Sequence, residues 1–394
     1  MDTQVLVVGA GPVGLTLANE LARRKVRCRV VDRAAGPALH SRALVVHCRT
    51  QELLERSGLR ERLAERAIPV HGMRLSRGRR DLATIPFDLG RYPALSLPQQ
   101  QTEEVLRSAL SKRGVCVEWG TELTSLSQNT ARVEALAGGQ LCVASYVVGC
   151  DGAHSIVRHL LGVPFEGATL PENLWMADAV LDWDVPPDYV HQFLHPRGAL
   201  SAIPMPGAKW RLVTLSTEAT GEPSKDFFES AIRRCTGREP KHMTIEWMSA
   251  FHVNCRLAAR YREDRVFLAG DAAHIHSPIG GQGMNVGIQD AISLAGRLAA
   301  ALAGADETVL AGYERERRPV AAGVIRSNAR IARLAATDHP VGVLMRDHVL
   351  PRLLRVPPIA QRAGLEASGL LIPGQPEPPA CRGEPQSRPG RKSQ

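Results

Sequence analysis

Apolar residues in this chain come in short blocks that stop at glycine, and the first block sets the reading of the rest. Gln4-Val-Leu-Val-Val8 is a β-branched run ending at Gly9, which predicts a buried strand and a tight turn. Val13, Leu17 and Leu21 then recur at helical spacing, so a helix is predicted over 12–24. A second apolar run, Cys28–Val31, ends at Asp32 and completes a β-α-β unit. Further helices are predicted over 50–57 and 102–113, and strands over 115–119, 131–136 and 141–148. Between 173 and 248 the pattern shortens to alternating segments bounded by Pro and Gly, such as 200–204 and 210–215, with one helix over 224–235. That stretch predicts an inserted sheet with its own packing. A buried strand over 266–269 and long helices over 283–303 and 307–336 follow, the last tolerating Gly323. The Pro-, Gly- and Arg-rich residues 371–394 predict a disordered tail.

Composition narrows this picture. The 394 residues exceed what one hydrophobic core usually organises, and 44% hydrophobic with 23% charged residues is the make-up of a globular chain. No uninterrupted apolar stretch is long enough to span a membrane. Residues 5–18 imitate a signal-peptide core, but Asp2 stands where a basic leader belongs and four of the residues are Gly or Pro, so a cytoplasmic protein is expected. The net charge of +9 raises nucleic acid as a partner. Arginines spread along the chain and interleaved with acids, as in Arg60-Glu61-Arg62 and Glu314-Arg315-Glu316-Arg317-Arg318, instead predict solvated helical faces. Eight scattered cysteines (28, 48, 116, 142, 150, 235, 255 and 381) form no CxxC pair and no finger spacing, so neither a metal site, a disulfide framework nor a redox dithiol is expected.

Three segments carry the chemistry. Gly9-x-Gly11-Pro12-x-Gly14 follows a strand and opens a helix: the first glycine makes the turn, the second lets backbone approach a pyrophosphate, the third permits close helix packing. Asp32, at the end of the second strand, is placed to accept from ribose hydroxyls. Alone, this motif does not separate FAD from NAD. Gly149-Cys-Asp151-Gly152 also lies between a strand and a helix. Gly270-Asp271-Ala-Ala-His274 ends a buried strand and leads through Pro278 and Gly280 to Gly281-Gln282-Gly283-Met284-Asn285, a second glycine-rich helix start whose amides can stabilise negative charge.

These three ordered motifs resemble the group A flavoprotein monooxygenases of the p-hydroxybenzoate hydroxylase fold, and most of all the aromatic polyketide hydroxylase branch. The resemblance covers residues 1 to about 370 and implies an α/β chain: a Rossmann-like FAD-binding domain (1–70, 98–165 and 260–300) interleaved with a mixed β-sheet substrate domain (71–97 and 166–259), then C-terminal helices (301–370). It implies that Gly9, Gly11, Pro12, Gly14, Asp32 and Arg33 hold the ADP part of FAD. Asp271 would bind the ribityl chain, and Pro278, Gly281, Gln282, Gly283, Met284 and Asn285 would border the isoalloxazine. Arg42, Gln99, Asp151 and Gly270 complete the implied set. Asp32 departs from the glutamate many relatives carry, and the thioredoxin-like C-terminal domain of the polyketide branch is not expected here.

The activity implied is hydroxylation of an aromatic, polyketide-type or other natural-product substrate, with NADPH as reductant and a flavin C4a-hydroperoxide delivering one atom of O2. Arg42, His195, His252, His191 and Tyr92 are the candidates for substrate activation. A low aromatic content, 4%, predicts a pocket lined by aliphatics such as Leu95, Ile203 and Met205. The same motifs also fit Baeyer–Villiger or epoxidising chemistry, or a non-catalytic FAD-binding accessory protein. A monomer or homodimer without nucleic-acid or membrane partners is expected.

Overall fold

The computed structural model describes residues 2–371 except 40–42, 196–197, 217–220, 279 and 338, so Arg42 and the predicted tail lie outside the described residues. In chain order the first elements are β1 (Thr3–Val8), α1 (Pro12–Arg23), β2 (Cys28–Val31), β3 (Val45–Val46), α2 (Cys48–Glu55), α3 (Leu59–Ala64), β4 (Ile68–Val70), β5 (Gly72–Arg77), β6 (Arg80–Pro86), β7 (Ala94–Ser96) and α4 (Gln99–Ser111). They are followed by β8 (Val117–Glu118), β9 (Leu123–Gln128), β10 (Val133–Ala137), β11 (Gln140–Gly149), α5 (Ile156–Leu160), β12 (Phe165–Asp182), β13 (Val190–His195), β14 (Gly198–Met205), β15 (Lys209–Ser216) and α6 (Lys225–Thr236). Next come β16 (Lys241–Ala258), β17 (Arg262–Glu263), β18 (Val266–Leu268), β19 (His274–Ile275), α7 (Gly283–Leu302) and α8 (Thr308–Ala336). Among the described residues no helix is long and apolar enough to cross a membrane.

The first sheet runs β17-β18-β11-β1-β2-β8, with β9 and β10 attached through β11. Strands β18, β11, β1, β2 and β8 are parallel neighbours. A parallel sheet is covered on both faces, which is why Val5, Leu6, Val7, Val147, Val148, Val266 and Phe267 form continuous buried runs. Registers Val8↔Val31, Val8↔Gly149 and Gly149↔Leu268 bring the carboxyl ends of β2, β1, β11 and β18 level. All three glycine-bearing motifs and Asp32 follow those ends, so segments scattered over 270 residues of sequence share one sheet edge.

The second sheet, β19-β16-β12-β15-β14-β13-β5-β6, is antiparallel apart from the β13–β5 pair. Strands β12 and β16 are each 18 residues long, where the alternation predicts only short pieces. Register shifts at Thr169/Asn173, Asp178/Ala179 and Val180/Asp182 explain the difference, because each bulge resets the period of two that marks a strand. One face of this sheet packs Trp175, Phe193, Leu200, Trp210 and Leu212 against Phe228 and Ile232 of α6. The opposite face sends Ile203 and Met205 against Leu44 and Val45 beside the third sheet, β3-β7-β4. The antiparallel strand β7, expected with the substrate segments, therefore joins the two large sheets, and Ser96 Oγ donates to Pro204 O at 2.5 Å.

Candidate functional site

The three glycines of the first motif meet different constraints. Gly9 lies at φ +105, and a Cβ there would come within 2.3 Å of Cys150 O. A Cβ on Gly14 would sit 1.9 Å from Gly9 O. Gly11 would meet nothing within 4 Å. Protein packing thus requires Gly9 and Gly14, whereas Gly11 leaves an open cradle at the start of α1. That helix has Pro12 in its first turn, no side-chain cap and no acidic residue there, so its amides are available to an anion. Asp32 accepts from Ala10 N at 2.7 Å and Ala34 N at 2.8 Å, fixing the turn while a carboxylate keeps further lone pairs. Arg33 beside it is exposed.

Asp151 accepts from Val157 N at 3.1 Å, and burial pushes its carboxyl up. Arg158, at the end of the same segment, donates to Ala153 O at 2.8 Å and across to Ala272 O at 2.9 Å. The guanidinium thereby ties the Asp151 turn to the 3-10 turn Gly270–Ala272, on which Asp271 is exposed.

The second glycine loop is built around side chains. Gly281 N donates to Pro278 O at 2.9 Å, and Gly280 and Gly281 adopt φ +83 and +63. Asn285 is fully buried: its Nδ2 donates to Val45 O and Gly281 O, both at 2.8 Å, and its Oδ1 accepts from His47 N at 2.8 Å. His47 Nε2 donates to Gly280 O at 2.9 Å. Its imidazole is 2% exposed, and burial lowers its pKa to about 4. Helix α7 begins at Gly283 and Met284 with neither a side-chain cap nor an acid in its first turn. Gln282, at the same helix start, donates from its side-chain amide to Ala367 O. His47 Nδ1, His276 Nε2 and Gln282 Oε1 are all buried without a partner among the described residues. An open cradle at Gly11 and a second uncapped helix start ringed by unpaired polar atoms fit a long dinucleotide with a polar ring system.

Gln99, first residue of α4, donates from its backbone to Ala43 O at 3.2 Å and from its side chain to Glu103 at 2.8 Å. The other candidates do not converge. His191 lies across from Ala202, on the face that packs against α6, and donates to Pro186 O at 2.8 Å. This candidate for substrate activation thus points away from the face that looks onto Leu44 and Val45, as strand alternation dictates. His195 and His252 sit on β13 and β16, four strand intervals or about 19 Å apart, so they cannot serve one reacting atom. Tyr92 donates to Glu55 at 2.9 Å under the guanidinium of Arg60. Of the predicted lining residues, Leu95 and Met205 are buried and Ile203 is half-buried.

Sequence reasoning missed the polar centre of that face. Arg211 on β15 makes a two-point pair with Asp178 on β12, at 2.7 and 2.8 Å, lies against Trp247 and reaches Ala43 O at 3.4 Å. It also missed the partners of His274: Asp290 takes His274 Nε2 at 2.6 Å and Arg317 Nε at 2.7 Å. The stretch Glu314–Arg318 was expected as a solvated face, yet Arg317 is 0% exposed, Glu314 accepts from Tyr261 N and Glu316 pairs with Arg297. The helical period of the surrounding apolar residues was the one available signal.

A family model described as FAD binding domain matches residues 2–328. The 6-methylpretetramide 4-monooxygenase of Streptomyces rimosus is 39% identical over 374 residues, which cover 91% of this chain and 67% of the relative. The chain thus spans about two thirds of that protein. Among solved structures, a p-nitrophenol 4-monooxygenase from Pseudomonas putida superposes with a TM-score of 0.84 at 25% identity, covering 92% of this chain and 97% of the other. An anhydrotetracycline hydroxylase from Streptomyces rimosus gives a TM-score of 0.79 at 34% identity, covering 94% and 77%.

Proposed function

The chain belongs to the FAD-binding family of flavin-dependent aromatic monooxygenases, and from that premise we propose that it hydroxylates a neutral, planar aromatic natural product of polyketide type. When bound, FAD would supply the redox chemistry, with reducing equivalents from NAD(P)H and O2 as the source of the oxygen atom for an electron-rich ring carbon. The residues of this chain do the holding. Gly11 and the amides of α1 would take the pyrophosphate, Asp32 a ribose, Asp271 the ribityl chain, and the loop from Pro278 to Asn285 the ring system.

The observation that carries the substrate reading is the face of the second sheet that looks onto Leu44 and Val45. Met176, Ile203, Val213 and Trp247 give it a flat apolar surface suited to fused rings, on the same face as the Asp178–Arg211 pair. Because Asp178 neutralises Arg211, the face offers a dipole rather than a net cation, which favours phenol and keto oxygens over a carboxylate. The names of the Streptomyces rimosus relatives, which point to tetracyclic compounds, support the same class.

The test is substrate-stimulated NAD(P)H oxidation with a panel of neutral polycyclic phenols and their carboxylated analogues under oxygen-18 gas. The proposal expects stimulation by the neutral compounds and label in the product. Stimulation confined to carboxylated phenols overturns the substrate class, and product oxygen drawn from water overturns the monooxygenase reading.

A further inference from the structure

Several side chains of α8 reach back to the segment that bears the second glycine loop. Tyr313 Oη donates to Leu268 O at 2.8 Å, Arg318 Nε to Ala258 O at 3.0 Å and Asn328 Nδ2 to Ser277 O at 3.3 Å. At the centre, Arg317 Nε donates to Asp290 Oδ1 at 2.7 Å, and Asp290 Oδ2 accepts from Gly270 N at 3.3 Å and contacts His274 Nε2 at 2.6 Å. Asp290 and Arg317 are both 0% exposed. Gly270 lies at φ +62, and a Cβ there would press to 2.7 Å of Val13 Cγ2. The turn that carries Asp271 is therefore held by α1 on one side, by Arg158 at Ala272 O, and by the Asp290 carboxylate beneath it.

We propose that Arg317, which belongs to no glycine motif, is a positioning residue for FAD: it fixes the Asp290 carboxylate, and the carboxylate fixes the Gly270–Ala272 turn that presents Asp271. The inference rests on the reading that Asp271 meets the cofactor. A carboxylate out of contact with water stays ionised only while neighbours offset its desolvation. Burial raises the Asp290 carboxyl, and His274 and Arg317 together more than offset it, leaving it below the ordinary value. The other titratable groups facing it are Tyr261, Tyr313 and Cys150, all pushed up by burial and so uncharged. They cannot replace the guanidinium. Without Arg317 the carboxyl would take up a proton at higher pH, and its grip on Gly270 N–H would weaken. The turn needs the ionised form, so FAD affinity is present above the raised pKa and lost as pH falls through it.

The experiment measures FAD dissociation constants of apo-protein by flavin fluorescence from about pH 9 down to about pH 6, with circular dichroism to confirm folding. It compares wild type, Arg317→Met, Arg317→Lys, Asp271→Asn and Leu310→Ala, the last a buried α8 side chain that touches none of these groups through hydrogen bonds. Expected are a flat profile for wild type, affinity about tenfold weaker in Arg317→Met and weakening further towards low pH, and partial rescue by Arg317→Lys. Leu310→Ala should lower the melting temperature and leave the dissociation constant unchanged. A folded Arg317→Met with wild-type affinity at every pH overturns the proposal, as does the same loss and the same pH dependence in Leu310→Ala. If Arg317→Met does not fold, Arg317→Lys decides: binding weaker than wild type supports the proposal and wild-type binding at every pH overturns it. Unchanged affinity in Asp271→Asn overturns the reading of Asp271 separately.

Discussion

Gly9, Gly11 and Gly14 are one residue type answering different demands, and they separate folding from binding. A side chain at Gly14 has no room before Gly9 O, while one at Gly11 points into open space. Gly14→Ala is therefore expected to lower the melting temperature of the apo-protein, and Gly11→Val to leave it unchanged while removing measurable FAD binding. Differential scanning fluorimetry with and without FAD checks both. His47 gives a second residue-level prediction. Its pKa falls from 6.5 to about 4 on folding, so below the higher value the unfolded chain takes a proton that the folded one refuses. Stability present above that value is lost between the two, by roughly 3 kcal/mol. His276, also lowered to about 4, adds to the same window, whereas Asp290, already below 3.8, acts at lower pH. His47→Gln should keep a donor for Gly280 O and flatten the decline in melting temperature with acid by about half. The glycines were legible in the sequence because the turn and helix start that need them are local, although the packing of Gly9 against Cys150 O is not. The role of His47 was not, since Gly280 and Asn285 lie more than 230 residues away.

At the level of elements, the strand-turn-helix units were readable because each carries its own periodicity and its own breaker. The faces of the second sheet were not. Which way His191 points depends on pairing with Ala202, and the bulges in β12 reset the alternation that would have told. The same dependence hid the Asp178–Arg211 pair, which joins β12 to β15. Arg211→Met should cost about 3–5 kcal/mol by stranding a buried carboxylate, and adding Asp178→Leu should restore most of that loss, as read from denaturant unfolding. Helix α8 teaches a related lesson. A run of alternating charge such as Glu314–Arg318 carries no mark of which charges are buried; only the tertiary partners Asp290, Arg297 and Tyr261 decide it. Tyr313→Phe, which leaves Leu268 O unpaired between α8 and β18, should cost about 1–3 kcal/mol in the same assay.

At the scale of the whole molecule, the parallel order β18-β11-β1-β2 turns motifs far apart in sequence into neighbours along one sheet edge, with the second sheet placed against them through β3 and β7. The central claim is that these turns form one FAD site per chain. Absorbance and fluorescence titration of the purified protein with FAD, alongside Gly11→Val, tests it most directly. One FAD per chain, bound by wild type and not by a folded Gly11→Val, is the predicted result; a wild-type protein that stays colourless and shows no affinity for FAD would contradict it.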